Sequence, residues 1–222
     1  MKGKRIWDEE KWAKYGALGG IWFLVLASIG SFLGASPPSR SDSASELAAW
    51  YVDNASTIQV GGFLLAVGVI GLVWWFGSVW EAMRQAEDST RLATIALIGF
   101  ILSMAMALGG FTVHVGAAAA IGEIGEGVVV FGHISGIFHA FSSIGALIMT
   151  TAISVLAFRT GFLPKWIAQV GLVVVLASLI SSAGVASDAD FFATFGAISF
   201  ISWAVWIVFI SVYLFRRSPS TA

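Results

Sequence analysis

Six long apolar runs dominate the chain, separated by short polar punctuation. They fall at about 16–35, 57–80, 92–119, 129–157, 165–186 and 192–215, and none holds Lys, Arg, Asp or Glu in its interior. Crossing ~30 Å of hydrocarbon takes ~20 helical residues, so each run predicts one transmembrane span. Within lipid no water is at hand for an unpaired amide, which makes the helix the natural form for such a segment. The third and fourth runs exceed the minimum length, which predicts tilt or extension beyond the bilayer rather than extra crossings. The expected fold is all-α: a polytopic membrane helical bundle of six transmembrane helices, forming one domain over residues 1–222.

Composition agrees. Hydrophobic residues make up 58% and charged residues 11%, against roughly 25% charged in a typical soluble domain. So few charges cannot cover a water-facing surface, so lipid is expected over much of it. The charges that exist are segregated. Lys2, Lys4, Arg5, Lys11, Lys14, Arg84, Arg91, Arg159, Lys165, Arg216 and Arg217 fall on one set of flanks, and Arg40 alone falls on the other. Basic flanks stay in the cytoplasm, so both termini are expected inside. The first run reads as an uncleaved span: Leu33 stands where a signal cleavage site wants a small residue, and Pro37 and Pro38 follow.

In the longest outer connection, Ser43-x-x-Glu46 has the form of a capping box. It predicts a short amphipathic outer helix at about 44–53, with Leu47, Trp50 and Tyr51 laid on the membrane interface. At the other end, Gly161 is placed to cap the fourth span and Pro164 to open the fifth.

Small residues mark where membrane helices approach closely. In the third span Ala96, Gly99, Ser103, Ala107, Gly110, His114 and Ala117 fall on one stripe, and in the fourth Gly132, Gly136, His139, Ser143, Ala146, Thr150 and Ala157 do so. The short loop 120–128 makes these spans antiparallel neighbours, and the stripes are expected to face the interior. Gly110, Gly132, Gly136 and Ser143 are the expected packing positions, with Gly132 and Gly136 permitting the closest approach. Thr150, Ser154, Ser178, Ser182, Ser199 and Ser202 are expected to bond largely to carbonyls of their own helices.

Candidate chemistry is narrow. No cysteine is present, which removes disulfides, thiolate metal sites and thiol nucleophiles. No span holds a lysine for a Schiff base or a carboxylate for ion coupling. No phosphate loop, nucleophile elbow or zinc-helix motif occurs, so no catalytic residue is assigned. There is no basic stripe beyond the membrane flanks, so no nucleic-acid partner is expected.

What remains is three histidines, His114, His133 and His139, in the outer halves of spans three and four. Ionisable residues in a span are costly and count as candidates by default. Depth pairs His114 with His133, whereas helix face pairs His114 with His139. Two imidazoles from adjacent helices suit haem b or a metal. A divalent cation would instead be met by His114 and His133 with the outer-loop acids Glu123, Glu126, Asp188 and Asp190. The plainer alternative makes each histidine a neutral, hydrogen-bonded member of a packing seam, without a cofactor.

The stretches SASELAAWYVDN (43–54) and RTGFLPKWIAQVGLV (159–173) resemble parts of small uncharacterised multi-pass proteins of actinobacteria. The resemblance implies a bacterial plasma membrane and supplies no catalytic residue. The expectation that follows is a non-enzymatic membrane protein, an accessory or structural subunit or a lipid-embedded binding module. Its partners would be membrane lipid, another membrane protein or its own copies. A haem- or metal-binding redox or sensor protein is the alternative, and a passive pore for a small neutral solute lined by Ser, Thr and Gly faces is the third.

Overall fold

The computed structural model describes residues 9–33, 43–183 and 190–217, and among them the elements are all helices. In chain order they are α1 (Glu9–Gly16), α2 (Gly19–Leu33), α3 (Ala44–Ala86), α4 (Arg91–Ala119), α5 (Ile121–Ile124), α6 (Val128–Thr160), α7 (Lys165–Ser182) and α8 (Asp190–Arg216), with a 3₁₀ turn at Gly125–Gly127 before α6. Among the described residues, six segments are long and apolar enough to cross a membrane, one at each of the six apolar runs.

The second of them departs from expectation. Residues 44–53 do not form a separate helix lying on an interface; they are the first turns of α3, which runs unbroken for 43 residues. That is ~65 Å, about twice the hydrocarbon thickness. Two local facts explain the continuity. The capping box does form, with the Ser43 and Glu46 side chains each bonded to the other's backbone amide, so the helix starts at Ala44. Beyond it, Asn54, the residue best placed to break the helix, turns its side-chain amide back to the Trp50 carbonyl at 2.8 Å. The apolar face of this extension has a protein partner. Tyr51 and Ile58 are buried with Ala117, Ala118, Ile121 and Val128, and Leu47 and Trp50 pack on that cluster.

The spanning helices form a ring. α2 packs on α3, α3 on α4, α4 on α6, α6 on α7, α7 on α8, and α8 returns to α2, while α3 also meets α6 across the middle. At the end that carries the basic flanks the ring is filled solid. Leu72, Trp75, Met149, Ile153, Trp206 and Ile207 are fully buried there. Trp75 and Trp206 meet edge to face at 6.4 Å, and the Trp206 indole N–H donates to the Ile167 carbonyl at 3.1 Å.

Helix ends at this side follow the sequence in two places and add a third device. Gly161 sits at φ 71° and closes α6, and Pro164 precedes α7. The amino end of α4 is capped instead by Glu87, whose carboxylate accepts from the amides of Leu92 at 2.9 Å and Ala93 at 3.1 Å. Partial burial pushes the Glu87 carboxyl upward, but those amide bonds, with help from Ser89 and Arg159, outweigh it and leave the group below its ordinary value.

The hydroxyls divide. Ser182 and Ser202 bond to carbonyls of their own helices, while Ser178 and Ser199 bond to each other across α7 and α8 at 2.7 Å. Thr150 and Ser154 differ from expectation: both are buried, and among the described residues neither hydroxyl has a hydrogen-bond partner.

Candidate functional site

The α4–α6 seam is the most extensive in the bundle, and it rises from a backbone contact to the histidines. α4 supplies the small side. Ala96, Gly99, Ser103, Gly110 and Ala117 are all buried, as its stripe predicts. A Cβ on Gly99 would fall 2.5 Å from the Met149 amide nitrogen and 2.8 Å from the Gly145 carbonyl oxygen, and one on Gly145 would run into the Ser103 backbone. The two main chains therefore touch.

One turn up the seam, the Ser142 hydroxyl donates to the Ser103 carbonyl at 3.0 Å. Two turns further up, Ser135 donates to the Gly110 carbonyl, also at 3.0 Å. Between them the Phe138 ring fills the notch over Gly109, where a Cβ would meet it at 2.8 Å.

α6 thus turns a different face to α4 than its small-residue stripe implies. Its contact positions are Ser135, Phe138, Ser142, Gly145 and Met149, one residue back from Gly136, His139, Ser143, Ala146 and Thr150. Gly132 is no close-approach point: a Cβ there would meet only the end of Leu47, at 4.0 Å. Ser143 bonds to the His139 carbonyl of its own helix rather than to α4. Gly136 is partly buried, and Gly110 holds the role expected of it. The physical reason is complementarity. α4 presents notches, which the Phe138 ring fills at Gly109 and the α6 main chain, with an Ile148 methyl, fills at Gly99.

This rotation decides which histidines come together. His139 lies over Gly110, where a Cβ would come within 2.7 Å of its Cε1 and Nδ1 atoms, and its ring stands edge-on to Phe111 at 5.0 Å. Gly110 is one turn below His114, so the two imidazoles share a face of the seam with ~6 Å of rise between them. Helix face wins over depth. Both His133 and His139 are exposed, but His133 has its ring bonded only to the Val129 carbonyl of its own helix.

Each ring has one nitrogen in use. His114 Nδ1 is 2.6 Å from the Tyr51 hydroxyl, and its ring also lies edge-on to Tyr51 and tilted over Trp50. His139 Nδ1 lies 2.8 Å from the Ser135 carbonyl, and His133 Nδ1 lies 2.8 Å from the Val129 carbonyl. A carbonyl oxygen only accepts, so in both the proton sits on Nδ1 and the Nε2 lone pair is left. The α3 extension is therefore part of the site, because it brings Tyr51 to His114. Sequence reasoning placed Tyr51 on the membrane interface and missed it.

The acidic candidates stand apart. Glu123 on α5 and Glu126 in the 3₁₀ turn are exposed. Among the described residues, no group of three or more His, Cys, Asp or Glu side chains is arranged to hold a metal ion. Asp188 and the Asp190 side chain lie outside the described residues.

Comparison adds no relative to set beside this seam. No family model matches the chain, and neither a curated protein nor a solved structure does.

Proposed function

We propose that this chain is a non-enzymatic accessory subunit of a bacterial plasma membrane, held with both termini in the cytoplasm and working through contacts of its helices. The observation that carries this reading is how the polar groups are spent. Ser135, Ser142 and His114 are bonded to helix backbone or to Tyr51 inside the bundle, and the exposed His139 is bonded to a carbonyl of its own helix. The outward surface is apolar side chain interrupted by Gly77 and Gly116, around which nothing lies within 4 Å of a would-be Cβ. In a membrane such a surface has two kinds of neighbour, lipid and another helix, and open glycines favour the helix.

Extraction in native-membrane nanodiscs followed by mass measurement tests this. The expected particle contains more than one protein chain, either copies of this one or a second membrane protein. A particle holding one copy and lipid alone would contradict the subunit role. Reporter fusions near residues 40, 86, 124 and 161 test the orientation, with 86 and 161 expected in the cytoplasm and 40 and 124 opposite.

One observation favours a second reading. A helical histidine whose Nδ1–H is fixed by a carbonyl presents Nε2 as a ligand, the arrangement seen around protein-bound metals. His139 has it, and His114 stands beside it on the same face. Haem b or a metal held by this pair is the alternative, and an absorption spectrum with elemental analysis of the purified protein tests it.

A further inference from the structure

The seam leaves two imidazole nitrogens open on one face, and they are of opposite kind. Tyr51 sets the first. It is 3% exposed, and among the described residues its hydroxyl has one hydrogen-bond partner, His114 Nδ1 at 2.6 Å. A phenol and a neutral imidazole nitrogen can each donate or accept. Were the ring proton on Nδ1, the phenol hydrogen would be buried without an acceptor, which weighs about tenfold or more against that arrangement. The phenol therefore donates, and the single ring proton of His114 sits on Nε2. That Nε2–H has no hydrogen-bond partner among the described residues. Unlike the Trp50 indole nitrogen beside it, it is not sealed off.

His139 is set the other way. Its Nδ1–H is spent on the Ser135 carbonyl, so Nε2 is a bare lone pair on an exposed side chain. One ring thus offers a donor and the other an acceptor. The ~6 Å rise between them matches two hydrogen bonds of ~2.8 Å meeting at one oxygen. Depth suits such an occupant. His139 lies twenty residues from Arg159, which is ~30 Å of helix, the thickness of the hydrocarbon. The pair therefore stands at the membrane boundary away from the basic flanks, where water and headgroups begin.

We infer that His114 and His139 hold a hydroxyl group between them, its oxygen accepting from His114 Nε2–H and its hydrogen donated to His139 Nε2. Water and a lipid headgroup hydroxyl share this chemistry. A metal or haem held by both rings needs two lone pairs, and Tyr51 withholds one by occupying His114 Nδ1. The inference therefore competes with the metal reading of the same residues and is independent of the subunit reading.

The test is solid-state NMR of the full chain with ¹⁵N-labelled histidine, in bilayers at about pH 8, where imidazole is neutral. Phosphatidylglycerol, whose headgroup ends in free hydroxyls, is compared with phosphatidylcholine, whose headgroup has none. Signals are assigned by their loss in His114→Gln and His139→Gln. His114 should carry its proton on Nε2 and His139 on Nδ1. The His114 Nε2–H should contact water protons in both lipids if water is the occupant, or headgroup glycerol protons in phosphatidylglycerol alone if lipid is. A proton on His114 Nδ1, or contacts from Nε2–H to acyl chains only, would overturn the inference. Co²⁺ titration gives a second readout. Tyr51→Phe frees His114 to turn a lone pair outward, so it should bind Co²⁺ about tenfold or more tightly than wild type. Adding His139→Ala should abolish that gain. Wild type binding Co²⁺ as tightly as Tyr51→Phe would also overturn it and favour the metal reading.

Discussion

At Gly145 a methyl group has nowhere to go, because the Ser103 backbone occupies its place. Side chains can swing away from an intruding methyl, but two packed helices can only separate. Overpacking typically costs ~1–3 kcal/mol, and a clash with backbone belongs at the upper end. Gly145→Ala should therefore cost about 3 kcal/mol in a reversible detergent unfolding assay. Gly132→Ala meets only the tip of Leu47, and alanine is the better helix former, so it should be neutral or up to ~1 kcal/mol stabilising. Equal damage from both would place the seam on the stripe that the sequence implies. That stripe misleads for a definite reason. α6 carries small residues on two adjacent faces, at 136, 143 and 146 and at 135, 142 and 145, and size alone cannot choose between them. What chooses is Phe138, whose ring fits the notch at Gly109, and Gly145, which lets the α6 main chain close on Gly99. The α4 face was legible because its neighbouring faces are occupied by large residues such as Ile98, Ile101 and Leu108.

Among the elements, α3 and the amino end of α4 show how much depends on local satisfaction of polar groups. The capping box at Ser43 was legible, but the continuity from Ala44 to Ala86 was not, since the polar stretch Asp53–Ser56 reads as a break until the Asn54 amide is seen bonded to Trp50. Glu87 was invisible as a cap because it lies four residues before the helix it serves. Thr90, at the usual cap position, has φ 56° and no side-chain cap bond. Glu87→Ala should cost about 1 kcal/mol, the usual value of a lost cap. The pH dependence follows from the direction of its shift. A carboxyl held below its ordinary value of 4.5 contributes stability that is full above that value and is lost as pH falls through the lowered one. The difference in melting temperature between wild type and Glu87→Ala should therefore hold near pH 6 and shrink toward pH 3. A difference that is constant or grows on acidification would mean that the carboxylate is not the cap.

For the molecule as a whole, the ring of six helices gives its two ends different characters. The basic end is packed solid around Trp75 and Trp206. The other end is tied by Ser135, Ser142, His114 and Tyr51, so one of the residues that looked most like a cofactor site, His114, is also among those that join α3, α4 and α6. The account rests on that bonding role. Its most direct test is an absorption spectrum with elemental analysis of the purified full-length protein, repeated on His139→Ala. The account predicts no Soret band and no stoichiometric metal in the wild type, with His139→Ala changing stability by no more than ~0.5 kcal/mol, as expected for an exposed side chain bonded only within its own helix. A chromophore or metal present at one per chain, and lost in His139→Ala, would contradict it.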